Sequence, residues 1–132
     1  MNNQMTRHLF LFALLFSSFS ALKAQENKMV EVLTPAEFKK AIEKDTLQLI
    51  DVRTAAEFEE GAIPNAMNID YFLEAEFNAA FEKLDKTQPV YLYCRSGSRS
   101  AKSAIRLQEL GFEKIYELEG GFMSWPYKSV NN

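Results

Sequence analysis

The 132-residue sequence holds one cysteine and one histidine, and it is sparing with the residues that break regular structure: five glycines and four prolines. A lone cysteine, Cys94, cannot close an internal disulfide, so no disulfide framework supports this fold. The only histidine, His8, lies at the extreme N-terminus beside Arg7. Downstream of it no imidazole is left for a Cys–His pair, a histidine metal site or a pH switch near neutrality. No metal or other cofactor is expected. Fifteen Lys+Arg against 18 Asp+Glu give a net charge of −3, without the basic footprint that a nucleic-acid partner requires. No period of 20–50 residues repeats and no segment is low in complexity.

There is one long apolar stretch, LFLFALLFSSFSAL, immediately after Arg7 and His8. It is shorter than the roughly 20 residues that span a bilayer. Small residues follow it, and Ala24 precedes Gln25. A basic start, a short apolar middle and a small-residue end are the layout of a secretory signal peptide, expected over residues 1–24. The alternative is an N-terminal anchor that stays attached. No cysteine follows the apolar run, which argues against a lipid-modified N-terminus. Cleavage would leave residues 25–132 as an exported, periplasmic domain with no membrane attachment. Losing Arg7 and Lys23 would make that domain two charges more negative.

The rest of the chain alternates strand and helix signals. Met29–Leu33 reads as a strand, and Thr34-Pro35-Ala36-Glu37 as a capped helix start. LQLIDV (47–52) is an apolar run of the length and continuity of a strand covered on both faces. Thr54-Ala55-Ala56-Glu57 repeats the capping pattern, and Gly61 can end that short helix. Ala66–Ile69 is a short strand candidate. Leu73, Phe77, Ala80, Phe81 and Leu84 recur at helical spacing between Asp70 and Leu84. PVYLYC (89–94) is another buried strand. A helix is expected from about Ser98 to Leu110, its apolar area supplied by Ala101, Ala104, Ile105 and Leu107, with Gly111 as its stop. KIYEL (114–118) is a last strand, followed by Gly120-Gly121 and a short helix carrying Phe122 and Trp125. This alternation predicts an α/β fold: a central, mostly parallel five-stranded sheet with helices on both faces.

Cys94 then falls at the carboxyl end of a central strand, where open α/β sheets bind ligands. The stretch CRSGSR (94–99) leads into a helix N-terminus, whose unpaired N–H groups and partial positive charge favour an anion. Arg95 and Arg99 add full charges, and Gly97 can take the unusual φ/ψ that a tight loop of inward amides needs. These surroundings suit a reactive thiolate. The plainer alternative, a cysteine used as a small buried hydrophobe, explains neither the arginines nor the glycine.

Three stretches together resemble the single-domain rhodanese, or thiosulfate sulfurtransferase-type, family. DVRTAAEFEEGAIPNAMNI (51–69) resembles its first signature, CRSGSR its active-site loop, and LEGGFMSW (118–125) its closing Gly-Gly…Trp element. The likeness covers about residues 29–127. Ala62 and Asn65 depart from it, since the family usually has His before Ile-Pro and Gly after. The resemblance implies a rhodanese-like fold and ping-pong transfer of a sulfane sulfur. Cys94 would carry the persulfide, and Arg95, Ser96, Gly97, Ser98 and Arg99 would bind the small anionic donor, such as thiosulfate. A thiol or a protein would accept the sulfur. Four residues separate Cys94 from Arg99, whereas related phosphatases and arsenate reductases have five; the shorter loop favours one sulfur atom over a tetrahedral oxyanion. Two other functions share the loop or the fold: a persulfide carrier or thiol-redox protein serving a partner, and a non-catalytic rhodanese-like binding module.

Asp51 and Arg53, at a neighbouring strand end, are candidates for the pocket wall or for a buried ion pair. Trp125 is a candidate for the same wall or for the core. Arg99, Lys102 and Arg106 lie at helical spacing and form either a basic rim or a solvated helix face.

Overall fold

The computed structural model describes residues 29–44 and 47–128. The signal-peptide segment 1–24 lies outside them. Five strands form one sheet: β1 (Val30–Leu33), β2 (Gln48–Asp51), β3 (Met67–Asn68), β4 (Val90–Tyr93) and β5 (Ile115–Leu118). Their order is β1-β5-β4-β2-β3 and every pairing is parallel. The helices are α1 (Pro35–Ile42), α2 (Ala55–Glu59), α3 (Glu74–Glu82) and α4 (Ser98–Glu109), with a 3-10 turn at Phe122–Ser124. This is the expected α/β architecture, with all carboxyl strand ends on one edge.

Alternation of side chains along each strand divides the core in two. Ile50, Val90, Leu92, Cys94 and Ile115 face α3 and α4, meeting Phe77, Phe81, Ala104 and Leu107. Leu49, Tyr91, Tyr93 and Leu118 face the other way, meeting Phe38 of α1, Ile63 and Trp125. The central strand β4 is buried at all four positions, as its unbroken apolar run requires.

Local signals fix several boundaries. Thr34 and Thr54 each form a complete capping box, with Glu37 and Glu57 respectively. Helix α3 starts at Glu74, four residues after Asp70. The Asp70 carboxylate accepts the Phe72 N–H at 2.9 Å, and the Asp70 carbonyl accepts the Leu73 N–H, so residues 70–73 form a turn. Leu73 is consequently half exposed rather than part of the core. The buried face of α4 is Ser100, Ser103, Ala104 and Leu107; Ala101 and Ile105 point outward, contrary to the periodic reading.

Asn65 has φ +68, the only non-glycine residue with positive φ among those described. Asparagine is tolerated there where most side chains are not, so it can replace the glycine of the resembled signature.

Candidate active site

Cys94 follows β4 directly, and Arg95, Ser96 and Gly97 carry the chain into α4. Gly97, the N-cap, has φ +109, a conformation that glycine adopts at low cost. That conformation aims its amide back at the cysteine: the Gly97 N–H donates to Cys94 Sγ at 3.1 Å. Ser98 and Arg99 begin α4, so their amides are among the first-turn N–H groups that a helix leaves unpaired. The sulfur therefore sits at the positive end of a twelve-residue helix dipole. Cys94 is 1% exposed. Its thiol also donates toward Ser100 Oγ at 3.6 Å, and Ser100 donates to the Gly97 carbonyl at 3.1 Å.

The carbonyl side of the loop is held by the Gly-Gly element. Phe122 N–H donates to the Cys94 carbonyl at 2.8 Å, and Met123 N–H donates to the Arg95 carbonyl at 2.9 Å. Gly121 makes this approach possible: a Cβ there would lie 2.5 Å from the Arg95 carbonyl oxygen and 2.7 Å from that of Cys94. With its carbonyls tied back, the loop presents the Gly97 amide to the sulfur.

The two arginines of the loop divide the work. Arg95 is exposed and lines a cavity of about 380 Å³ together with Arg53, Glu60, Phe122, Met123 and Lys128. Arg99 makes a bidentate pair with Glu57 at 2.7 and 2.9 Å. Its guanidinium also lies over the exposed Phe72 ring, 5.5 Å from the centroid. Arg99 thus ties α4 to α2, and Arg95 is the loop arginine that lines the cavity. The hydrogen bonds from Arg99, with those from Thr54, hold Glu57 down at about 2 against the opposing effect of burial.

Asp51 is wholly buried, and Arg53 grips it through three side-chain hydrogen bonds of 2.7–3.0 Å. Arg53 also donates to the Gly61 carbonyl at 2.7 Å and stacks 4.3 Å from the Phe122 ring centroid. Arg53 lines the cavity, whereas Asp51, expected as a candidate pocket residue, does not reach it and is the buried counter-ion of Arg53. With Arg53 matched by Asp51 and Glu57 by Arg99, Arg95 and Lys128 outnumber Glu60 at the rim. The cavity is consequently net positive on a chain that is net negative. Trp125 does not line it; its ring packs edge-on against Phe38 in the α1-side core.

Sequence reasoning missed three participants. Ser100 and Glu117 are buried polar residues, and Phe122 is a ring held between Arg53 and the Lys128 ammonium, 4.6 Å from its centroid. The signal for Ser100 was its place one turn after Gly97; the other two depend on strand register and chain crossing.

A family model for the rhodanese-like domain matches residues 34–127. The chain is 35% identical over 120 residues to the uncharacterized protein YqhL of Bacillus subtilis, spanning 91% of each chain. It is 37% identical over 84 residues to the thiosulfate sulfurtransferase GlpE of Coxiella burnetii, covering 64% of this chain and 76% of that one. A rhodanese-like domain protein from Staphylococcus aureus superposes with a TM-score of 0.64 at 30% identity, over 77% of this chain and 99% of that one. A parallel sheet of this order, a cysteine cradled at the carboxyl edge of β4 and a family match across almost every described residue converge: the chain belongs to the rhodanese-like domain family.

Proposed function

We propose that this protein is a sulfurtransferase that moves a sulfane sulfur from thiosulfate, or a similar small anionic donor, to a thiol acceptor through a persulfide on Cys94. The observation that carries the reading is the Gly97 N–H on Cys94 Sγ at the α4 N-terminus, with the loop carbonyls held away by Phe122 and Met123. Such a cradle stabilises a thiolate and, after transfer, the anionic terminal sulfur. The Cys94 thiolate attacks the outer sulfur of thiosulfate. The S–S bond of the donor breaks, and sulfite leaves with the electron pair. An acceptor thiolate then attacks the terminal sulfur of the persulfide, and Cys94 is regenerated as the thiolate. Arg95 and the net-positive rim draw the anionic donor to the loop. The similarity to a thiosulfate sulfurtransferase over most of that protein's length supports the same chemistry.

The test is intact mass after treatment with thiosulfate. One added sulfur on Cys94, removed by cyanide and absent in Cys94→Ser, is the expected result. An unchanged mass would leave the domain as a binding module. The four-residue spacing between Cys94 and Arg99 also predicts negligible hydrolysis of aryl phosphates by the same preparation. Turnover of phosphate comparable to sulfur transfer would reverse the assignment.

The leader-like segment places this activity outside the cytoplasm in the proposed reading. N-terminal sequencing of the protein recovered from the periplasm should begin near Gln25.

A further inference from the structure

The cavity beside Arg95 is larger than an inorganic donor requires. Its volume is about 380 Å³, whereas thiosulfate is an anion of a few atoms. Clefts of about 300–1,000 Å³ are those that take organic ligands. In a ping-pong reaction donor and acceptor occupy one site in turn, so the larger of the two sets its size. The walls are of two kinds. Phe122 and Met123 supply apolar surface, and the Met123 side chain is left 60% exposed. Arg95 and Lys128 supply charge: both are exposed, and neither has a carboxylate partner among the described residues. Arg53 and Glu57, also in the lining, are already matched by Asp51 and Arg99, which leaves Glu60 as the remaining carboxylate.

Lys128 is held at this cavity by the chain before it. Trp125 is buried in the α1-side core, and the Tyr127 ring packs edge-on against it with centroids 4.9 Å apart. The Lys128 ammonium then lies 4.6 Å from the centroid of Phe122, the ring that Arg53 also approaches at 4.3 Å. A ring quadrupole positions an ammonium without neutralising it. Lys128 is therefore a placed and uncompensated cation, separated from Arg95 along the chain by the apolar pair Phe122 and Met123.

We propose that the sulfur acceptor is an organic thiol bearing a carboxylate, and that Lys128 is the residue that selects it. The thiolate end enters beside Arg95, the apolar stem lies along Phe122 and Met123, and the carboxylate pairs with the Lys128 ammonium. The acceptor thiolate attacks the outer sulfur of the protonated Cys94 persulfide. The S–S bond breaks and Cys94 leaves as a thiolate with the electron pair. The outer sulfur departs with its hydrogen on the acceptor, which is now itself a persulfide. The sulfane sulfur keeps its oxidation state throughout, so no further oxidant or reductant is needed. A neutral thiol forfeits the Lys128 pair, and an aminothiol is repelled by both cations. The inference rests on the sulfurtransferase reading and names the acceptor class for it.

The experiment has two arms. The first alkylates Cys94 with iodoacetate and with iodoacetamide, which differ in little but the carboxylate, and reads the ratio of the two rates. Any change in the basicity of Cys94 or in loop packing moves both rates and cancels. Lys128→Met should lower the ratio about threefold, as expected for loss of one exposed ion pair. Lys128→Arg should restore most of it, and Lys102→Met, which removes an exposed α4 lysine outside the cavity, should leave it near wild type. The second arm discharges the Cys94 persulfide in single turnovers with 3-mercaptopropionate or with 3-mercaptopropanol, thiols of similar basicity. In wild type the acid should reach half-saturation at about fivefold lower concentration, with a similar limiting rate, and in Lys128→Met the two should coincide. Equal half-saturation in wild type overturns the proposal, as does a ratio or a preference that survives Lys128→Met. Alkylation needs no sulfur donor, so the two readings fail separately: a ratio that falls in Lys128→Met, in a protein that forms no persulfide, would overturn the sulfurtransferase reading alone.

Discussion

At the residue scale the site depends on two glycines for different reasons. Gly97 has open space where a Cβ would go, so the cost of Gly97→Ala lies in its φ of +109 alone. Forcing alanine into that region costs about 1–3 kcal/mol. Either the strain is stored, lowering stability by that amount in chemical denaturation, or the loop relaxes and the amide leaves the sulfur. Gly121 is limited by space as well. Alanine there would drive a Cβ into the Arg95 and Cys94 carbonyls, which are backbone and cannot swing aside. Gly121→Ala should therefore displace the loop itself. Single-turnover sulfite release is expected to fall at least about tenfold, through loss of oriented donors of the kind worth 10²–10³ at oxyanion sites. Normal release in this variant would mean that the carbonyl ties do not orient the loop.

At the scale of elements, the join between α2 and α4 rests on Glu57. One carboxylate caps α2 through the Thr54 N–H and grips Arg99 of α4. Glu57→Gln keeps most of the shape and loses the charge, and should cost about 1–3 kcal/mol at pH 7. The sign with pH follows from linkage. Arg99 holds the folded carboxyl at about 2, below its ordinary 4.5. The pair's contribution is complete above pH 4.5 and disappears as pH falls towards 2. Urea unfolding of wild type and variant across that interval should show two stabilities that converge. A gap independent of pH would mean that Gln disturbs packing instead.

At the scale of the whole molecule, the carboxyl edge of the sheet gathers segments far apart in the chain: 51–53, 57–61, 94–100 and 121–123. The buried Asp51–Arg53 pair is the fixed point among them, reaching the Gly61 carbonyl and the Phe122 ring. Removing one member leaves an uncompensated buried charge, so Asp51→Ala should lose about 3–5 kcal/mol. Replacing both members with apolar residues of similar size should restore much of that loss, since it removes both desolvation costs. A double variant as unstable as the single one would show that the pair's geometry, rather than its charge balance, organises this edge.

The strand–helix alternation, the two capping boxes, the turn at Gly97 and the place of Cys94 were legible in the sequence because each depends on residues within one or two turns of chain. A Thr three residues before a Glu makes its own cap wherever it is put, and an apolar run as continuous as PVYLYC suits only a covered strand. The start of α3 was misplaced because a side-chain turn at Asp70 outcompeted helical spacing. On α4, Ala104 and Leu107 are buried as the spacing suggested, but the helix is turned so that Ser100 and Ser103, not Ala101 and Ile105, complete the buried face. Only tertiary structure decided that Arg99 pairs with Glu57, that Trp125 joins the core rather than the cavity beside Arg95, and that Glu117 lies behind Cys94. Those outcomes are set by parallel strand register and by which chain segments cross at the sheet edge. Long-range geometry of that kind leaves no periodic trace along the chain, because the partners are separated by 23 to 87 positions that local propensity does not connect.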